Sequence, residues 1–378
     1  MATLILAVLI LLFAYPFVIY PFLLALWAKR MPAVQGGGDA AGEQPAVALV
    51  ICALNEQRII REKIENSLAL RYPREKLTIV VVSDGSADRT AEIVLEYRDA
   101  GVVLLDRKVR RGKIANLNEV IPSRSEKIVV LSDANVLYHP DAIAHLVARF
   151  SDPSVGCVSG KVVLTGTTPD LDSPTIQYYS VEWALQENSS IIYAMAGADG
   201  AMYALRRELF RPCPNDTLIE DFVIPMQVIA QGKRVVLEPK ALGWEKGVES
   251  LREEYRRKVR IAAGAAQGLL RGNAWPHHAP GRFWFIFMSH KLLRWMSPVV
   301  GALLLLLSLL WVREPVAQII LAGMAVMALL ALGRLIAGWK HTFFSAPFYF
   351  LFAEIALGIG LLKGFTGLQT VLWPKANR

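Results

Sequence analysis

The sequence predicts an α/β domain on a doubly wound sheet, flanked by transmembrane α-helices. Three observations predict it. Apolar residues fill 54% of the 378 positions and charged residues only 20%, with a mean hydropathy of +0.36, too apolar for one soluble domain. The charges are segregated. Residues 1–28 carry none, and 296–378 carry two acids, Glu314 and Glu354, against six bases, so 29–295 is a near-neutral body of 31 acids and 35 bases. Between 47 and 245, short β-rich apolar runs alternate with helical patterns, as right-handed β–α–β crossovers require. This composition excludes disorder, collagen, coiled coil and a disulfide-stapled scaffold. Cys52, Cys157 and Cys213 are too far apart for a disulfide framework or a zinc site and suit a reducing compartment.

The elements follow in order. Residues 3–28 run without a charge, longer than the roughly 20 residues that span hydrocarbon. A cleaved signal peptide would open on a basic region; here Lys29 and Arg30 close the far end instead. The positive-inside rule puts the amino terminus outside and residue 29 in the cytosol. Pro16 and Pro21 predict a kink. Residues 29–46 are a linker, with the flexible stretch GGGDAAGEQ at 36–44. The soluble domain spans 47–271. Its runs at 47–54, 77–83, 102–105 and 127–132 read as strands buried on both faces of a parallel sheet, with helices at 57–70 and 87–99 between them. Residues 272–294 form an interfacial segment. Within it RFWFIFMSHKLLRW (282–295) reads equally as a helix lying on the bilayer or as the cytosolic end of the next span. Three apolar runs close the chain, at 295–312, 315–333 and 343–362. Alternation places the tail outside, whereas Lys363, Lys375 and Arg378 argue for inside, and one run is open to a re-entrant or interfacial reading.

In a doubly wound sheet, ligands bind beyond the carboxyl ends of the strands. The first strand ends in Ala53-Leu54-Asn55-Glu56, the second in Ser83-Asp84-Gly85-Ser86-Ala87-Asp88, and the fourth in Ser132-Asp133-Ala134-Asn135. Each alone reads as a cap or turn. Three acidic ends on one sheet edge call for a cation, and a divalent metal carrying a phosphate ligand is the simplest one. Between strands, Arg110-Arg111-Gly112-Lys113 at a loop-to-helix start can approach phosphate. Neither a dinucleotide fingerprint nor a P-loop is present.

Taken in order, A-x-N-E, DGSxD, RxGKxxxLN and SDAN, with Ile219-Glu220-Asp221 downstream, resemble the motifs of the family 2 glycosyltransferases. The flanking apolar segments resemble the cellulose, chitin, hyaluronan and poly-N-acetylglucosamine synthases. The resemblance implies a GT-A type doubly wound mixed sheet in a cytosolic domain, an integral protein of the plasma membrane, and a nucleotide-sugar donor, a UDP-sugar above all. It implies that Ala53, Asn55, Glu56 and Asp84 line the nucleotide pocket, with Asp84 accepting from the base, and that Lys113 holds the nucleotide. Asp133 and Asn135 occupy the family's Asp-x-Asp positions, which contact the sugar nucleotide and Mn²⁺ or Mg²⁺. Asp221 matches the general base, with Glu220 beside it. Asp199 and Gly200 fall in the acceptor-side segment, and Arg257 and Arg260 match the family's Arg-x-x-Arg, at the acceptor or the pyrophosphate.

Two positions depart from the family pattern. Asn135 replaces a carboxylate with a neutral amide. Ile261 stands where the polymer synthases carry Trp, which bears on processivity. The implied activity is inverting transfer of a sugar to a membrane-associated glycan or lipid acceptor in envelope or exopolysaccharide biosynthesis. Transfer to a polyprenyl phosphate and processive synthesis are the alternatives. Six histidines without HExxH give no metallohydrolase, and the small net charge of 29–295 argues against nucleic acid. Oligomerisation is left open.

Overall fold

The computed structural model describes residues 1–32, 44–165, 172–247, 250–339 and 341–371. The expected flexible linker falls almost wholly outside them, as do Lys340, Lys375 and Arg378.

One eight-stranded mixed sheet forms the domain. Its strands are β1 (Val47–Ala53), β2 (Leu77–Asp84), β3 (Val102–Arg107), β4 (Ile128–Asp133), β5 (Val136–Tyr138), β6 (Val155–Thr165), β7 (Met202–Arg206) and β8 (Arg234–Lys246), in the order β3-β2-β1-β4-β7-β6-β8-β5. The first four are parallel. β7 is antiparallel to β4 and β6, and β5 is antiparallel to β8. Along β1, Ala48 and Val50 face one core while Val47, Leu49 and Ile51 face the other. That period of two, apolar on both sides, is what a two-faced sheet needs. β3 is the exception. It lies at the sheet edge, so Val103 stays 38% exposed and the run at 102–105 is not buried on both faces.

Helices cover both faces. α2 (Ile60–Leu68), α3 (Thr90–Leu95) and α5 (Ala142–Ala148) pack on one side, and α4 (Lys113–Ser123), α7 (Glu220–Ala230) and α8 (Leu251–Leu270) on the other. α1 (Ala2–Ala28), α9 (Gly281–Leu310), α10 (Pro315–Ala337) and α11 (Thr342–Thr366) are each long and apolar enough to cross a membrane, by length and composition. α1 widens into a π-helical turn at Tyr15–Ile19, which contains the expected kink residue Pro16, and α9 does the same at Phe287–Leu292. α6 (Asp172–Ile192) joins the two layers: its Leu185 and Ile192 pack with Tyr20 and Leu24 of α1 and Ile286 of α9. Residues 282–295 are continuous with the apolar stretch that follows them. The segment is the near end of the continuous helix α9, with Phe283, Phe287 and Trp295 buried in the domain's own core. The expected boundary at 294/295 therefore falls inside a helix.

Candidate active site

The site gathers at the carboxyl ends of β1, β2 and β4. The loops after β1 and β2 are tied together side chain to backbone. Asn55 takes a left-handed φ of 58°, which Asn tolerates. Its Oδ1 accepts from Ala87 N at 2.7 Å, and its own N–H donates to Ser86 Oγ at 3.1 Å. Glu56 N–H donates to Thr90 Oγ1 at 2.8 Å.

Asp84, nearly buried, organises the basic loop. Its Oδ1 accepts from Arg111 N and Asn116 Nδ2, and its Oδ2 from Gly112 N, all at 2.8 Å. The residue expected to read the nucleotide base thus receives three donors from the chain, which shape the 110–112 turn around it. Gly85 makes this approach possible: a Cβ there would meet Arg110 N at 2.6 Å.

That turn delivers Lys113 at the start of α4. Its ammonium lies 2.7 Å from Asp133 Oδ1 and 2.7 Å from Glu220 Oε1, with Gly200 O at 3.4 Å. Burial alone would lower this lysine's pKa, but the Asp133 and Glu220 carboxylates hold it well above its usual value. Glu220 and Asp221 open the first turn of α7, where the helix dipole favours anions. Their environments push them apart. Burial works against the charge of Glu220, yet Lys113 beside it keeps its pKa below the ordinary value. Asp221 goes the other way, raised to about 6 by burial and by the Glu220 charge, with Arg260 and Lys113 opposing.

Asp199, Gly200 and their neighbours wrap this pair. Gly200 leaves the space that Asp221 fills: a Cβ on it would stand 2.7 Å from Asp221 Oδ2. Ala198 N–H donates to the Asp221 carbonyl at 2.8 Å, and Asp199 N–H to Ser159 Oγ at 2.9 Å. The Asp199 carboxyl is raised to about 7 by burial, offset by the Ala201 N–H it accepts and reinforced by the charges of Glu245 and Asp221. From α8, Arg260 donates to Leu218 O at 3.0 Å, just before the carboxylate pair. Arg257 pairs instead with Glu254 of its own helix, at 3.3 Å. Ala53 is buried behind the loop.

Among the described residues, no three His, Cys, Asp or Glu side chains converge as a complete metal cage. The donor set still suits a divalent ion completed by a ligand's phosphates. Asp133 supplies a carboxylate, and Asn135 Nδ2 donates to Glu245 Oε1 at 2.8 Å, which leaves its amide oxygen as the ligand atom.

Three contributors lie outside the motifs. Glu245 orients Asn135. Trp295 of α9 packs edge-on against Phe222, next to Asp221, with ring centroids 5.2 Å apart. Lys63 of α2 is fully buried and donates to Val136 O at 2.5 Å, directly behind the Asp133–Asn135 turn. The one signal available for Lys63 was its place among Ile60, Ile64 and Ser67 on the buried face of α2.

The mixed sheet, parallel on one side and antiparallel on the other with helices on both faces, is of the GT-A type. Residues 48–212, somewhat under half of the chain, match the family described as Glycosyl transferase family 2. Poly-beta-1,6-N-acetyl-D-glucosamine synthase of Staphylococcus aureus is 27% identical over 235 residues, 61% of this chain and 57% of that protein. The Staphylococcus epidermidis enzyme of the same name is 26% identical over 236 residues, with the same coverage. The chain thus aligns with little more than half the length of these relatives. A mannosyltransferase of Pyrobaculum calidifontis, solved in complex with GDP-Man and Mn²⁺, superposes with a TM-score of 0.76 over 98% of this chain and 100% of that one, at 23% identity. That likeness is one of fold.

Proposed function

We propose that this chain is an inverting glycosyltransferase. It moves a sugar from a nucleoside diphosphate donor to a membrane-associated glycan or lipid acceptor, with its catalytic domain on the cytosolic face of the plasma membrane. The observation that carries the proposal is the cluster in which one ammonium, Lys113, bridges Asp133 of the donor edge and Glu220 of the carboxylate pair. It joins a cation for a diphosphate to the carboxylate pair whose second member, Asp221, is able to take a proton.

Asp221 is the group to accept the acceptor hydroxyl's proton. With a pKa raised to about 6 it is ionised near neutral pH yet basic enough to be useful. As that proton leaves, the acceptor oxygen attacks the anomeric carbon and the bond to the diphosphate breaks on the opposite side, which inverts the centre. The leaving diphosphate gains charge, and Lys113 and Arg260 are placed to offset it. Asp133 and Asn135 would hold Mn²⁺ or Mg²⁺, which supplies Lewis-acid stabilisation of the same leaving group. The bound Mn²⁺ of the Pyrobaculum calidifontis enzyme supports a divalent ion.

Ile261, 36% exposed, offers no flat ring to a sugar. Trp275 stacks on Trp284 and meets Phe287 edge-on, and Trp244 leans on His139. These observations favour addition of one or a few sugars over a long polymer. The test is nucleotide release by the purified full chain in lipid across UDP- and GDP-sugars, with product sizing. Release stimulated by an acceptor, with short products, is the expected result. No release from any donor overturns the enzyme reading, and a high-molecular-weight ladder overturns the short-product reading.

A further inference from the structure

We propose that α11, although long and apolar enough to span a bilayer, does not cross it. It lies along the membrane surface on the side of the catalytic domain, wedged between that domain and the bundle, with the adjoining lipid leaflet as the partner of its outer flank.

Both ends of α11 are on that side. α9 leaves the domain at Gly281 and runs to Leu310, and α10 returns from Pro315 to Ala337. Trp339 then folds back on the end of α10, close to Gly333, and its ring lies 4.7 Å from that of Phe344 at the start of α11. From there α11 runs beside α8, a helix of the catalytic domain, in the same direction. Tyr349 OH donates to Glu254 at 3.0 Å, and Lys258 sits over the Tyr349 ring. Further along, a Cβ on Gly360 would stand 2.5 Å from both Ala262 Cβ and Val259 O, and one on Gly364 would stand 2.7 Å from Ala266 Cβ.

Contact with α8 thus holds from Tyr349 to Gly364, about 22 Å of helix at 1.5 Å per residue. The stretch from Thr342 to Tyr349 is about 10 Å, against roughly 30 Å of hydrocarbon. α8 cannot itself lie in hydrocarbon, because its first three turns carry Arg252, Glu253, Glu254, Arg256, Arg257, Lys258 and Arg260. The opposite flank of α11 meets the bundle: Phe350 touches the Phe13 and Phe17 rings, and Glu354 accepts from Ser297 Oγ at 2.7 Å. Ile355 and Leu362, both more than half exposed, point to neither neighbour and suit the headgroup–acyl boundary. The placement also explains two charges that a span would bury at a cost, Glu354 in the middle of the helix and Lys363 near its end. Three crossings then put residue 368 on the side of the catalytic domain, which satisfies the basic tail.

The test compares three single cysteines in the full chain: Arg89→Cys on the catalytic domain, Val312→Cys between α9 and α10, and Leu368→Cys after α11. The unmodified chain, whose thiols are buried or half-buried, serves as the blank. A membrane-impermeant maleimide is applied to intact cells and again after lysis. The expected result is that Leu368→Cys behaves as Arg89→Cys and opposite to Val312→Cys, whichever of them is labelled in intact cells. Leu368→Cys sharing the pattern of Val312→Cys overturns the proposal. Because labelling does not depend on activity, failure here and failure of the glycosyl-transfer reading are separate results.

Discussion

Asp221 and Asp199 are two buried carboxyls with different expected roles, and pH separates them. Asp221, raised to about 6, must be ionised to accept a proton, so turnover should fall as pH drops below about 6. Asp221→Asn should retain nucleotide binding, since Lys113, Asp133 and Asn135 are untouched, while turnover drops by about 10²-fold or more. Near-normal turnover in that variant would remove Asp221 from the base role. Asp199 bears on stability. Its folded pKa of about 7 stands above an ordinary 3.8, so between these values the unfolded chain releases a proton that the folded one keeps. Stability is therefore lost as pH rises through that window. Asp199→Asn removes the loss and keeps an acceptor for Ala201 N. Its melting midpoint should exceed the parent's at pH 8, with a smaller gap at pH 5. An equal gap at both values would mean that Asp199 does not titrate there.

Between elements, the join of α8 and α11 is made of small residues. With Gly360 and Gly364 against Ala262, Ala263 and Ala266, the backbones approach closely, and any added methyl group collides with main chain. Gly364→Val should destabilise by about 1–3 kcal/mol, the usual scale of overpacking, read as a lowered midpoint in detergent. It should also reduce turnover, because α8 carries Arg260 beside the carboxylate pair. An unchanged midpoint would show that the two helices separate freely. This join was not legible in the sequence. An apolar stretch of 20 residues looks alike in composition whether it crosses a bilayer or lies along a protein surface. The strands were legible because a run buried on both faces has few alternatives, and β3 escaped the pattern because it lies at the edge. Asp84, Lys113, Asp133 and Asp221 stood out because each sits in a contiguous motif at a strand or helix end. Glu245, Lys63 and Trp295 reach their partners at the site from 73 or more positions away, and nothing local marks them.

At the scale of the whole molecule, charge and shape predict how the enzyme depends on metal. The cluster of Asp133, Glu220 and Asp221 is balanced by Lys113 and Arg260, so a divalent ion should bind weakly until a diphosphate arrives with it. Activity should vanish in chelator and return with Mn²⁺ or Mg²⁺. Asn135→Asp should lower the metal concentration needed for half-maximal rate. Full activity in excess chelator would exclude the metal.

The two π-helical turns face each other. Tyr15 and Ser289 join hydroxyl to hydroxyl at 3.0 Å, and the Tyr20 ring stacks on His290 at 6.0 Å. Each turn holds one residue more than an α-helix needs, so each is a tooth, and the two teeth mesh. Helices with plain apolar flanks can slip past one another by a turn at little cost, whereas a meshed pair has a single setting. Loss of one residue from Tyr15–Ile19 would close the wide turn into a regular one and remove the tooth, while Leu6 keeps its seat beside Leu304. α1 is thereby keyed to α9, and through Trp295 and Phe222 that key reaches the turn that carries Glu220 and Asp221.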